Sequence, residues 1–275
     1  MNIDTYLDSR KGNISESTLE SQKSMLKTFE RLAEIDGEPT VDDVNAFIEK
    51  AKKAYENATV KQILNTVKVY WRVQRLPNFD ELKDLIKFKS PRATLSDSKR
   101  TFYTEKEVEK IIHSAEEPWN LFFALAYTYA RRLKEVGILK KNMVNDRSIR
   151  WKIIKKAHEE RYSLERSMLK GEWDEWLSRR MGKVKSYVFP ACWKGQKWKY
   201  WIPQKEMEEA CKKAQIRKDP SVHGLRHSRA RHLVDSGTSL RTLKDGLLFH
   251  ERLSTTQDIY GTDEEAVGKI PEVSL

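Results

Sequence analysis

Five separated pieces of the sequence carry side chains that could act together in catalysis. The most distinctive is HisGlyLeuArgHisSerArgAla at 223–230, where His223 and Arg226 lie three residues apart and would face the same side of a helix. An imidazole titrates near neutral pH and can transfer a proton, whereas a guanidinium offers a planar fork of donors that matches a phosphate. Alone, such a string is equally compatible with a solvated helix face.

Two further pieces lie near the C-terminus, and another ends an apolar stretch. His250 and Tyr260 stand in LeuLeuPheHisGluArgLeuSerThrThrGlnAspIleTyr, where a lone tyrosine would ordinarily be structural. Arg131 and Arg132 interrupt the end of an otherwise apolar helix in TyrAlaArgArgLeuLysGluVal. Because burying a guanidinium without a partner costs several kcal/mol, arginine at this place requires a reason.

The fifth piece is a polar turn between two predicted strands. Residues 148–154 and 161–164 have the composition of strands, and the turn that joins them carries Lys155 and Lys156. Residues 187–189 are a candidate third strand. A solvated turn would explain the two lysines as well as a catalytic role would.

Taken in order, an arginine, a hairpin lysine, HisxxArg, a histidine and a C-terminal tyrosine, these pieces resemble the tyrosine recombinases of the phage-integrase-like and Xer-like kind. The flanking sequence is similar as well: ThrGluLysGluValGluLysIleIle at 104–112, ArgxxGlu at 132–135, ValPhePro at 188–190 and SerThrThrGlnAspIleTyr at 254–260. The resemblance covers about residues 101 to 262. The N-terminal helices match the core-binding domain of the family only in size and pattern.

The resemblance implies a catalytic set, carried over position by position: Arg132, Lys156, His223, Arg226, His250 and Tyr260. Arg132 is preferred because it precedes Glu135 as in the GxRxxE string of the family, and Arg131 is its rival. Lys156 is preferred to Lys155 by its distance from Arg161, and the choice between the two lysines stays open.

Two departures from the family pattern remove no functional group. Ala130 stands where the family usually has the glycine of GxR, and Phe249 replaces the glycine of LeuGlyHis. They suggest a divergent branch, archaeal or viral, or carried by a mobile element.

The implied chemistry is attack of Tyr260 on a DNA phosphodiester, which leaves a covalent 3′-phosphotyrosine. Two arginines would stabilise the charge that develops on the phosphate, His223 would accept the phenolic proton, and Lys156 would protonate the departing 5′ oxygen. His250 would be a further donor to the phosphate. Because the phosphotyrosine conserves the energy of the broken bond, neither a cofactor nor a metal is expected.

These side chains must be positioned by a mainly α fold in two domains. Helices are predicted from Ser17, where Glu20 would complete a capping box, from about Thr40 and from about Thr59. These helices occupy residues 1–90, which the resemblance implies are a helical, SAM-like core-binding domain, and a basic linker is expected at 91–100. Residues 101–275 form the mostly helical catalytic domain with a small three-stranded antiparallel sheet and a short C-terminal tail.

Inside the second domain, a helix should begin at the Thr104 capping box, and an apolar helix over 119–129 should be its core. Tryptophans are dense between residues 151 and 201, and core packing is favoured over a surface that stacks on DNA. Cys192 and Cys211 lack metal-ligand spacing and are expected to be buried hydrophobes.

The net charge of +11, from 52 Lys+Arg against 41 Asp+Glu, favours a polyanionic partner. The sequence lacks both a signal peptide and a run of about eighteen apolar residues, so we expect a cytoplasmic, nucleoid-associated protein and no membrane partner. The resemblance implies double-stranded DNA as substrate and a homotetramer on two DNA sites, and it leaves room for accessory DNA-bending proteins.

Three other interpretations remain. The chain could be a relative of the recombinases that binds DNA without cutting it, or a type IB topoisomerase, which shares the chemistry but usually lacks this compact layout. A helical protein that binds RNA or a membrane surface would explain the charge but not the order of the motifs.

Overall fold

The computed structural model describes residues 1–85, 101–154, 161–194, 197–199 and 201–249. The chain divides into two compact units, Met1–Arg92 and Ala93–Leu275. In the described ranges no helix is long and apolar enough to cross a membrane. The predicted linker at 91–100 lies outside the described residues.

The described part of the first unit consists of helices: α1 (Ile3–Arg10), α2 (Glu16–Ala33), α3 (Val41–Ala54), α4 (Asn57–Gln74) and α5 (Phe79–Leu85). Their apolar faces form one core, in which the rings of Phe29 and Phe47 meet edge to face at 5.2 Å. The core also buries Trp71, whose indole N–H donates to the carbonyl of Pro77 at 2.8 Å. This bond fastens the chain just beyond α4.

Helix caps explain where these helices begin. Helix α3 begins at Val41, near the predicted start, and Thr40 and Asp43 form its capping box. The predicted cap at Ser17 is wrong, because Ser15 lies in the extended conformation and its hydroxyl accepts from the N–H of Thr18. Helix α2 therefore starts two residues earlier than the Ser17 box would place it.

The second unit is also mainly helical: α6 (Glu105–Ser114), α7 (Trp119–Thr128), α8 (Leu133–Gly137), α9 (Gly171–Lys183), α10 (Trp201–Lys213), α11 (Val222–Asp235) and α12 (Leu240–Thr242), which continues into a π-helical turn (Leu243–Leu248). Helix α7 is buried on all sides because α6, α8, α9 and α11 pack around it. The predictions of a capping box at Thr104 and of a core helix near 119–129 are confirmed.

Two short antiparallel pairs complete the described part of this unit. Strand β1 (Ser148–Lys152) pairs with β2 (Arg161–Glu165), and β3 (Trp193–Lys194) pairs with β4 (Lys197–Trp198). The predicted third strand at 187–189 does not join the β1–β2 sheet: Tyr187 makes an isolated bridge to Lys140 instead. Val188 is anchored to the carbonyl of Leu139, which directs this segment into the helical core. The mainly α fold with a small antiparallel sheet is otherwise confirmed.

The tryptophans and cysteines divide between core and surface. Trp151 and Trp173 are buried as predicted, whereas 53% of the surface of Trp201 is exposed, so core packing is the wrong interpretation for that residue. Cys192 and Cys211 are free and buried. Burial raises the pKa of the Cys192 thiol to about 12, so this side chain behaves as an apolar group.

Candidate active site

The turn between α7 and α8 positions Arg132. After α7 the backbone passes through Ala130 in the left-handed conformation, with φ of 47°, and Arg132 caps the next helix. The Arg132 backbone N–H donates to Glu135 at 3.0 Å, and its Nη1 donates to the other carboxylate oxygen at 2.8 Å. Glu135 is buried, whereas the Arg132 side chain is 17% exposed. The carboxylate thus fixes one edge of the guanidinium fork.

Helix α11 carries the HisxxArg motif. Its first turn is capped by Ser221, whose hydroxyl accepts from the N–H of Gly224. His223 is exposed, whereas Arg226, one turn further, is buried. His223 lies edge to face with His227, with ring centroids 4.7 Å apart. The motif therefore presents an imidazole at the surface and a guanidinium in the interior.

A close packing contact fixes the start of this helix. A Cβ atom on Gly224 would lie 2.9 Å from a ring carbon of Tyr103, so the helix approaches that ring as closely as only glycine allows. The Tyr103 hydroxyl donates to the carbonyl of Asp219 and accepts from the N–H of Ser221. Its backbone N–H donates to Ser228 at 2.8 Å. Tyr103 thereby contacts the HisxxArg segment on both sides of Arg226.

Arg226 connects two distant turns. Its Nη1 donates to the carbonyl of Ala130, and its Nη2 donates to the carbonyl of Leu248 at 2.9 Å. The first contact places Arg226 against the turn that leads into Arg132. The structure thus brings together the two arginines that the sequence assigns to the phosphate.

A third arginine joins them, and Arg131, Arg132 and Arg226 are here called the arginine cluster. Burial alone would raise the pKa of the Glu135 carboxyl, but the positive charges of the arginine cluster hold it below its ordinary value. Burial lowers the pKa of Arg131 to about 9 against the attraction of Glu135, and repulsion by the other two arginines adds to this. Three cations around one buried carboxylate form a site with excess positive charge, which favours an anion.

Arg131 differs from Arg132 in its surroundings. Its side chain has no exposed surface, and its Nε donates to the carbonyl of Tyr129 at 2.6 Å. Nη1 and Nη2 have no hydrogen-bond partner in the part of the chain that the structure describes. The guanidinium carbon lies 4.9 Å from the ring centroid of Phe249 and 6.0 Å from that of Trp151. Sequence reasoning weighed Arg131 only as the rival of Arg132 and missed these contacts.

The structure leaves part of the predicted site undescribed. Lys155, Lys156, His250 and Tyr260 lie outside the described residues, so their assignments stay predictions, as does the choice between the two lysines. Among the described residues there is no group of three or more acidic, histidine or cysteine side chains that could hold a metal.

Comparison with known proteins identifies the family that shares this pattern. A sequence model described as the phage integrase family matches residues 101–266, which is more than half of the chain. Tyrosine recombinase XerC of Vibrio atlanticus (strain LGP32) is 36% identical over 138 residues, which cover 48% of this chain and 43% of that relative. Tyrosine recombinase XerC of Histophilus somni (strain 2336) is 28% identical over 56% of this chain and 53% of the relative. The chain thus matches about half the length of these curated relatives.

Solved structures with a similar fold match most of the length of this chain. A lambda integrase (residues 75–356) dimer bound to a COC′ core site superposes with a TM-score of 0.73 at 17% identity, over 99% of this chain and 98% of that one. A lambda integrase tetramer bound to a Holliday junction superposes with a TM-score of 0.71 at 18% identity, over 94% of this chain and 77% of that one. At such identities the likeness concerns the fold.

Proposed function

The chain belongs to the phage integrase family, and from this premise we propose that it is a site-specific tyrosine recombinase. In the proposed reaction the Tyr260 hydroxyl attacks a DNA phosphodiester and forms a 3′-phosphotyrosyl bond, while the 5′ oxygen departs. Reversal of this step by another 5′ hydroxyl rejoins the DNA. The observation that carries the proposal is that Arg132, paired with buried Glu135, and Arg226, bound to the carbonyl of Ala130, converge on one turn.

The arginines suit a phosphoryl group whose charge increases during reaction. As the pentacoordinate state forms, negative charge accumulates on the non-bridging oxygens, and guanidinium donors then bind more strongly than in the ground state. Arg132 keeps its orientation through Glu135, and Arg226 through two backbone carbonyls. Donors held in place before the substrate arrives need little reorganisation when charge develops.

Two further side chains carry the proposed proton transfers, and a third binds the phosphate. Ionising a tyrosine at pH 7 costs about 4 kcal/mol, so a base is required, and exposed His223 at the start of α11 is suited to that role. Lys156 would protonate the leaving 5′ oxygen, a step worth about 10²- to 10⁴-fold in rate. His250 would donate to a non-bridging oxygen of the phosphate.

The proposed substrate is double-stranded DNA, and the proposed assembly is a homotetramer on two DNA sites. The net charge of +11 and the neighbouring integrase structures solved on DNA, one of them a tetramer, support this. Affinity for DNA should fall with salt, with a log–log slope of roughly −0.9 per phosphate neutralised.

The test is to trap the covalent intermediate. A DNA site with a nick beside the cleavage point loses the leaving strand, so the wild-type protein should accumulate a covalent adduct on a denaturing gel. Tyr260→Phe should form none while it binds DNA with nearly unchanged affinity, because only the nucleophilic oxygen is lost. Equal trapping by both proteins would reject Tyr260 as the nucleophile.

A second assay separates the reaction types. Strand exchange between two DNA sites is expected of a recombinase, whereas relaxation of supercoiled DNA without exchange would identify a topoisomerase. Specific binding without any adduct would identify a DNA-binding relative that does not cut.

A further inference from the structure

Two turns of the candidate site have a left-handed backbone without glycine. Ala130 has φ of 47° and Phe249 has φ of 50°, a conformation that residues other than glycine rarely adopt. These are the two positions at which the chain departs from the glycines of the tyrosine recombinase pattern. Both residues thus have a backbone conformation that glycine adopts most readily, and at Phe249 a large ring must also be accommodated.

The Phe249 ring has well-defined neighbours. It stacks on Tyr162 of β2 with ring centroids 3.8 Å apart and an interplanar angle of 19°. The Arg131 guanidinium carbon lies 4.9 Å from the centroid of the same ring. Tyr162 is paired across the sheet with Trp151, which is the second ring near Arg131. The ring thus joins the β1–β2 hairpin to the turn that precedes Arg132.

The contact between Arg131 and Phe249 also offsets an energetic cost at each of the two residues. Arg131 is buried with two terminal nitrogens that lack hydrogen-bond partners among the described residues, and a guanidinium near the face of an aromatic ring recovers part of that cost. In turn, the cation and Tyr162 together hold Phe249 in a conformation that its side chain disfavours. The same two turns are bridged by Arg226, which donates to the carbonyls of Ala130 and Leu248.

We propose that the contact between Arg131 and Phe249 is a positioning device that fixes the two left-handed turns at Ala130 and Phe249 relative to each other. It holds the turn before Arg132, the hairpin base and the residue that precedes His250 in sequence as one unit. Arg131 and Phe249 are positioning residues that act through Arg132 and Arg226. This inference rests on the proposed recombinase function only for its kinetic test.

The test uses variants that distinguish the effect of the positive charge and of the aromatic ring from the effect of side-chain volume. Arg131→Met and Phe249→Leu keep apolar volume but remove one side of the contact, whereas Arg131→Lys and Phe249→Tyr preserve a cation and a ring. At saturating nicked DNA, Arg131→Met and Phe249→Leu should each slow adduct formation roughly tenfold, since loss of alignment acts on the chemical step. The two conservative variants should retain most of the rate.

The double variant Arg131→Met/Phe249→Leu gives the decisive result. If the two residues act through one contact, it should be no slower than the worse single variant, and its unfolding midpoint in urea should also be less than additive. Slowing by the product of the two single effects, or additive midpoints, would overturn the proposal. An effect of the Arg131 change alone would also overturn it and would instead assign Arg131 to the phosphate directly.

A matched control tests whether loss of any cation–ring contact slows the reaction, and urea unfolding gives a readout that does not depend on activity. Lys140→Met removes another cation from an aromatic ring, that of Tyr187 at 5.5 Å, and should leave the rate unchanged. The urea measurement requires no activity, so it reports the coupling of Arg131 and Phe249 whether or not the protein cuts DNA. Absence of an adduct in the wild type would therefore reject the proposed function without affecting this test. Phe249→Gly relieves the left-handed strain, and a folded but slow variant would show that the ring itself is required.

Discussion

The two units of the chain differ in what they bury. In the described part of the first unit the buried residues are apolar apart from Thr66, whereas the second unit buries Arg131, Glu135 and Arg226. Buried charge is costly unless it is paired, so a fold that needs only a core avoids it. The difference indicates where the sequence maintains a function at the expense of stability.

The largest change in folding free energy should come from the apolar core. Phe47→Ala removes a fully buried ring from its edge-to-face partner Phe29 and should lower the free energy of unfolding of the first unit by about 3–5 kcal/mol. Adduct formation by the folded fraction should stay close to wild type. Urea unfolding and cleavage at saturating DNA measure the two quantities, and a large fall in cleavage by fully folded protein would contradict the division of roles.

Next in size is the effect of Arg226→Lys on catalysis. A lysine keeps the charge but cannot donate in a fixed fork to the carbonyls of Ala130 and Leu248 and to a phosphate, so cleavage should fall by roughly 10²- to 10³-fold. Single-turnover adduct formation is the measurement. A lysine variant as fast as wild type would show that only the charge matters at this position.

Glu135→Gln should have an intermediate effect that depends on pH. Because the folded protein lowers the pKa of Glu135, its carboxylate stabilises the fold above the unfolded pKa of about 4.3, and this contribution is lost as pH falls through the folded pKa. At pH 7 the variant should be about 1–3 kcal/mol less stable than wild type. The difference in free energy of unfolding between wild type and variant should become smaller below about pH 4. A difference that does not change with pH would contradict the charge explanation.

The smallest effect on stability is expected at the surface. Trp201→Ser changes a side chain that is 53% exposed, and the unfolding midpoint should move little, within about 0.5 kcal/mol. Loss of DNA affinity in this variant would assign Trp201 to nucleic-acid contact, since aromatic side chains stack on bases. A large loss of stability would show that the exposed ring packs more tightly than its surface suggests.

Local patterns were predicted well where a few neighbouring residues decide the outcome. The helix start near Thr40, the capping box at Thr104 and the apolar helix α7 follow from side-chain type and spacing. The cap at Ser17 failed because Ser15 competes for the same role, and the eight-residue helix α1 was missed because so short a segment carries little periodic signal.

The neighbouring arginines show where sequence reasoning ends. Arg131 and Arg132 are the same residue type in adjacent positions, and only the family pattern favoured one of them. Because of the backbone turn at Ala130, Arg132 lies at a helix start beside Glu135. Arg131, in contrast, lies among aromatic rings that come from distant parts of the chain. Such long-range contacts follow from the tertiary fold, which no local pattern encodes.

The packing of Gly224 against Tyr103 has a mechanical consequence. The turn that carries His223 is anchored to residues over one hundred positions earlier, at the entry to the second unit, through the Tyr103 ring and hydroxyl. Any displacement of Tyr103 would therefore act directly on the start of α11, where His223 lies. The same anchor makes position 224 intolerant of any side chain, because a methyl group there would displace either the ring or the helix.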